Sequence, residues 1–141
     1  MRRRAFLAAG AGILAAATSL KAHAAPSKST AGGGAMSGVA DAAGDCVRKG
    51  EACLQHCLTM LATGDQSMAA CSKTVRDMLA TSRALETLAV TNGPRAVALA
   101  KVAAEVARDC QAECAKHAQH PPCKECGDAC GRLIAAVAKL G

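Results

Sequence analysis

The chain has no tryptophan, no tyrosine and a single phenylalanine, Phe6. Without aromatic rings there is nothing on which unpaired bases could stack, so single-stranded nucleic acid is a poor partner and no nucleic-acid role is expected. The core must instead be filled by Ala, Leu, Val, Met and Cys. Strand signal is almost absent as well. Ser and Thr are plentiful, but none sits in a recognisable Ser/His/Asp arrangement, so the chain is not expected to be an enzyme. After the first 20 residues no apolar run is long enough to anchor the chain in a bilayer.

What is present begins with a leader. Arg2, Arg3 and Arg4 form a basic start, the apolar run Leu7 to Leu20 follows, and Ala22-His23-Ala24 is a small-x-small cleavage signal. Arg3-Arg4-Ala5-Phe6-Leu7 fits the core of a twin-arginine signal. Residues 1–24 are therefore expected to be an export segment read by the twin-arginine translocase, delivering the protein to the periplasm. The whole chain carries +6, but the leader holds four of the 17 basic residues and none of the 11 acidic ones. Its removal leaves 13 basic against 11 acidic residues, a net +2, so the basic balance belongs to the leader. Residues 25–37, with Pro, Ser, Thr and the triplet Gly32-Gly33-Gly34, read as a flexible linker.

Residues 38–141 carry an Ala-rich helical pattern. The first helix is expected from Val39 to Ala62, closed by Gly64, and the second runs from an Asp65 N-cap to Val90. Asn92-Gly93-Pro94 is a stop followed by a start, and a third helix runs to Gln119. Pro121-Pro122 interrupts it before a fourth helix from Cys123 to Leu140. Short connections make neighbours antiparallel. The expected fold is all-α, an antiparallel four-helix bundle with cysteines lining one half of the core. Val39, Cys46, Cys53 and Met60 on the first helix, Cys71, Val75, Met78, Leu79, Leu85 and Leu88 on the second, Val102, Val106, Cys110, Cys114 and His117 on the third, and Cys126, Cys130, Leu133, Val137 and Leu140 on the fourth all recur at helical spacing and are expected to face inward.

All nine cysteines follow the leader. In an oxidising compartment paired disulfides are the default, but the count is odd. Three Cys-x3-Cys pairs occur, Cys53/Cys57, Cys110/Cys114 and Cys126/Cys130. One helical turn separates their Cβ atoms by about 5–6 Å, beyond the roughly 3.5–4.5 Å that a disulfide needs. A metal can join them, because two metal–sulfur bonds of about 2.3 Å (the zinc value) span about 4.6 Å. Low-coordinate thiolate ligation suits soft Cu(I). At about 1.5 Å per residue, Cys57 and Cys71 lie about 9 Å below one end of the bundle and Cys114 and Cys126 about 5–8 Å below it. Cys53, Cys110 and Cys130 sit about a turn deeper, Cys123 is at the rim, and only Cys46 falls farther down.

The ordered ladder Cys46-x6-Cys53-Leu-Gln-His-Cys57, Asp-Gln-Ser-Met-Ala-Ala-Cys71, Cys110-x3-Cys114, Cys123-Lys-Glu-Cys126-Gly-Asp-Ala-Cys130 resembles the bacterial copper storage proteins. The resemblance covers Asp45 to the C-terminus and implies a four-helix bundle whose inward thiolates store several Cu(I) ions. It also implies export through a twin-arginine leader and association of bundles, with a tetramer as the expected form. Ser82, Ala107, Leu133 and Val137 stand where further cysteines would be expected, which implies a reduced capacity.

Other readings compete. A twin Cys-x3-Cys hairpin stapled by disulfides accounts for Cys110, Cys114, Cys126 and Cys130 but not for Cys46, Cys53, Cys57 and Cys71. Zinc and iron–sulfur sites use compact sets of four thiols and would leave others over. A copper carrier needs one or two exposed sites, not a buried ladder. His117, one turn after Cys114, is either a copper ligand at the mouth or a polar residue at a helix end. Met60 and Met68 are candidate thioether ligands, while Met78 is assigned to the core. His56 is expected to be solvated and His120 a bystander in the proline loop.

Overall fold

The computed structural model describes residues 31–141, so the leader and the first part of the linker lie outside the described residues. Four helices follow one another: α1 Ala31–Ala62, α2 Ala69–Val90, α3 Ala96–Ala115 and α4 Pro121–Ala138. A 3-10 turn, Gln66–Met68, leads into α2, and no strand occurs among the described residues. Each helix packs against its two neighbours in a ring, α1 on α2 and α4, and α3 on α2 and α4.

Contacts between helices set the directions. Lys49 pairs with Glu125 at 2.8 Å, and Asp45, one turn earlier, pairs with Arg132, later in α4. Along α1 and α2, Glu51 pairs with Arg83, and Gly44 faces Glu86. In both cases rising numbers meet falling ones, so the neighbours are antiparallel. These pairs are exposed or half-exposed and contribute about 0.2–1 kcal/mol each. Burial of the inner faces must hold the bundle together.

The connections follow from local chemistry. Gly64 takes a φ of 95°, where a side chain would be strained, and ends α1. The Asp65 carboxylate then accepts from the Ser67 amide at 3.0 Å and caps the 3-10 turn. Asn92 supplies the left-handed residue, φ 50°, that closes α2.

The helix limits differ from the sequence expectation at α2, which starts at Ala69 after the 3-10 turn that Asp65 caps, and in three further places. First, α1 begins at Ala31, so residues 31–37, read as linker, are helical. Met36 and Val39 are both buried and share one face, so continuing the helix covers apolar surface that outweighs the poor propensity of the glycines. Second, α3 ends at Ala115, and turns replace its expected last residues. Third, Pro121 and Pro122 open α4 instead of preceding it. At the first helical positions the missing amide would be unpaired anyway, and the fixed φ suits the helix.

The interior also departs from expectation on α3. Val102 is 49 % exposed, and Ala96, Ala100, Ala103, Ala104 and Ala107 form the buried face instead. Alanines let two helices approach closely, and a face so built leaves Val102 about 140° away from its centre. Val39, Val75, Met78, Leu79, Leu85 and Leu133 fill the lower half, together with Ser82, whose hydroxyl reaches Met78 Sδ at 3.4 Å. No described helix is long and apolar enough to cross a membrane.

Candidate metal centre

Every one of the nine cysteines is fully buried and free. That burial follows from spacing. Cys46 and Cys53 lie two turns apart on α1, and Cys57 follows one turn on, so all three stay on its inner face. Cys110 and Cys114 do the same on α3, and Cys123, Cys126 and Cys130 on α4, while Cys71 comes from the first turn of α2. Cys123, expected at the rim, is wholly enclosed, because α4 begins two residues earlier and carries it into the helix.

The sulfurs form three interlocking groups, within each of which all atoms lie within 4.8 Å of one another. Cys53, Cys57, Cys71 and Cys123 make the first, Cys53, Cys114 and Cys126 the second, and Cys110, Cys126 and Cys130 the third. Cys53 and Cys126 each belong to two groups, so the groups are links of one chain. Cys53 lies 3.7 Å from Cys123, Cys71 3.8 Å from Cys114, and Cys110 3.9 Å from both Cys114 and Cys126. Cys46, expected to stand apart, adjoins Cys130 and extends the chain downward.

These separations are far longer than the roughly 2.05 Å of a disulfide. A metal with bonds of about 2.3 Å needs sulfurs about 4.6 Å apart in linear geometry and about 4.0 Å apart in trigonal geometry. The sulfurs already stand close to the second of these distances. Burial also sets the protonation. Desolvation pushes the Cys57 thiol up to about 12 and raises Cys123 as well. Cys71 is held low, chiefly because the Cys114 thiol donates to it, and Cys126 is held low mainly by Cys110. Cys114 and Cys130 move up, each led by its contact with Cys110. The cluster therefore shares charge through a network of S–H donors and thiolate acceptors.

The other candidate ligands are unevenly placed. Met68 is buried against the core, Met60 is half-buried, and His117 is 9 % exposed with its amide donating to the Cys114 carbonyl. His117 belongs to none of the three groups. His56, expected to be solvated, is half-buried, and its Nε2 is buried without a hydrogen-bond partner. An unpaired buried polar atom costs about 1–3 kcal/mol. Its ring stands 4.7 Å from that of His120, centroid to centroid. The sequence gives no periodic signal for this meeting, which joins α1 to the α3–α4 connection.

The copper storage protein family model matches residues 34–140, three-quarters of the chain and all nine cysteines. The chain belongs to the copper storage protein family. A search of curated proteins returns no match. The matched region covers almost all of the described bundle, with the buried thiol groups at its centre. The positions Ser82, Ala107, Leu133 and Val137 are all buried, so the places where further cysteines were expected are filled by ordinary core packing.

Proposed function

We propose that this protein binds and stores several Cu(I) ions through its inward-facing thiolates, and that it does so as a sink for copper and not as a catalyst. One observation carries the reading: all nine thiols are buried and free, and eight of them are linked in a single chain of sulfurs at metal-bridging distances. Soft thiolates in sets of three and four favour Cu(I) over harder ions. Overlapping groups let neighbouring ions share a sulfur, which a set of isolated zinc sites would not need. Full burial supports retention over the rapid exchange a carrier requires. Met68, Met60 and His117, toward the end of the bundle where α1 and α3 finish, are proposed as accessory ligands at its mouth.

Native mass spectrometry of the reduced protein, loaded without oxygen, tests this reading. Several copper ions per chain, with the mass of nine intact thiols in the metal-free form, are expected. A metal-free mass lower by several pairs of hydrogens would replace storage with a disulfide-stapled scaffold.

We further propose export through the twin-arginine route to the periplasm, and association of bundles into a tetramer. The first rests on Arg3-Arg4 and the apolar run behind them. Retention of the precursor in the cytosol of cells lacking that translocase is the expected result, and normal export in such cells would rule the route out.

A further inference from the structure

We infer that copper enters and leaves the thiol chain sideways, through a cleft between α3 and α4 whose wall is thinnest at Gly127. This rests on the copper storage reading above. The cleft holds about 250 Å³, and Cys114 and Cys123 line it. Cys123 belongs to the thiol quartet and Cys114 to a trio, so an ion admitted here reaches either group. A larger cleft of about 560 Å³ between α1 and α4 is lined by Asp41, Asp45 and Arg132, and its lining among the described residues includes no thiol.

Small residues make the opening. Gly127 follows Cys123 by one turn on α4, and a Cβ on it would stand 3.4 Å from Cys114 Cβ. Any larger residue would close over that thiol. Ala115 and Ala118, exposed on the opposite wall, reach no farther than a methyl. Cys114 and Cys123 are nonetheless fully buried, so the seam must widen for an ion to pass. The charges permit it. Lys49–Glu125 and Asp45–Arg132 tie α4 to α1. At the cleft, Lys124 pairs with Asp128 at 2.7 Å, and Lys116 pairs with Glu113, each on its own side of the seam. Parting α3 from α4 there breaks none of these pairs. Turns also follow α3 directly at Ala115, and helix ends open at lower cost than helix middles.

At the wall the ion changes ligands. Its bond to the small donor ligand that brings it breaks as a bond to the Cys114 or Cys123 sulfur forms. The thiol proton passes to the released ligand, and no electron is transferred. Departure follows the same path in reverse. A portal sets the height of a barrier and not the depth of the well behind it, so it acts equally on both rates.

Two measurements on the reduced protein test this. Ala115→Leu and Ala118→Leu fill the cleft from its exposed side, and Gly127→Ala fills it from within. Uptake from a coloured Cu(I)–chelator complex, and release to excess chelator, are followed in time without oxygen. Both rates should fall by one factor, roughly tenfold, which corresponds to about 1.4 kcal/mol on the barrier. The number of ions held and their affinity should stay as in the parent. Unchanged rates, or slower release matched by tighter binding, overturn the inference. Separately, iodoacetamide is added to the folded, metal-free protein, and alkylation is read at each cysteine by peptide mass spectrometry. Ala118→Leu should slow alkylation of Cys114 and Cys123 while Cys57 keeps the parent's rate, and equal rates in the two proteins at all three overturn it as well. If the parent binds no copper tightly, the storage reading fails, and the alkylation rates still decide whether the cleft leads to the thiols.

Discussion

Cys53 on α1 and Cys123 on α4 hold their sulfurs 3.7 Å apart across the core, and Cys53 is also a member of a second thiol group with Cys114 and Cys126. Cys46 belongs to none of the three groups. The two cysteines are therefore unequal, although both are fully buried on one face of α1. Cys53→Ser should lower copper capacity and speed its removal by a chelator. Cys46→Ser should do so less. Both exchanges place a hydroxyl in the core, with a similar stability cost of about 1–3 kcal/mol, so any difference in copper reports ligation. Parallel titrations of the two variants check this, and equal losses would contradict the linked-group arrangement.

Gly50 lies one turn from both Cys46 and Cys53, where α1 meets α2. A Cβ there would stand 2.6 Å from Met78 Cε and 2.9 Å from Leu79 Cδ2. Gly50→Val should destabilise the metal-free protein by about 1–3 kcal/mol through overpacking. Gly127→Ala meets Cys114 Cβ at 3.4 Å and the Gln111 carbonyl oxygen at 4.0 Å, and should be much milder. Thermal unfolding of the two variants separates them.

Alkaline pH should weaken the metal-free fold. Cys57 is pushed from its ordinary value of 9.0 up to about 12 by burial, and Cys123 moves the same way. Above the ordinary value the unfolded chain gives up these protons while the folded one keeps them. The native state then binds more protons, and stability falls as pH rises. The loss should begin near pH 9.0 and continue toward about 12. Copper-loaded protein, whose thiols are already deprotonated by the metal, should lack this dependence. Denaturant unfolding between neutral and alkaline pH checks both forms.

On the acid side, Asp45 is held below its ordinary value of 3.8, first by its hydrogen bond from Arg132. Arg132 Nε donates to Asp45 Oδ2 at 3.1 Å, and a second nitrogen contacts the same oxygen. The stabilisation is present above 3.8 and is lost as pH falls through the lower folded value. Since Arg132 is about half exposed, Asp45→Asn should cost only about 0.2–1 kcal/mol at neutral pH. The difference from the parent should vanish once the carboxylate is protonated, which urea unfolding at low pH measures.

Much of this architecture was legible in the sequence because thiols at helical spacing mark a face unambiguously. Cys53/Cys57, Cys110/Cys114 and Cys126/Cys130 lie inside together as their spacing implies. The alanine face of α3 was not legible. Alanine contrasts too little with its surroundings, so Val102 drew the inward assignment and proved exposed. The early start of α1 was hidden by its glycines, whose low propensity is overridden by burial of Met36. Cys46 looked isolated because depth along one helix says nothing of what α4 brings opposite, and α4 brings Cys130. The meeting of His56 and His120 depends on the backbone angle that Pro121 imposes and on the way α4 then lies against α1. No local pattern encodes it.

Titrating the reduced protein with Cu(I), without oxygen, against a chromophoric competing chelator tests storage most directly. Several equivalents withheld from the chelator, and released to it only slowly, are predicted from nine buried thiols of which eight are linked. A single equivalent that exchanges quickly, or none withheld at all, would contradict storage.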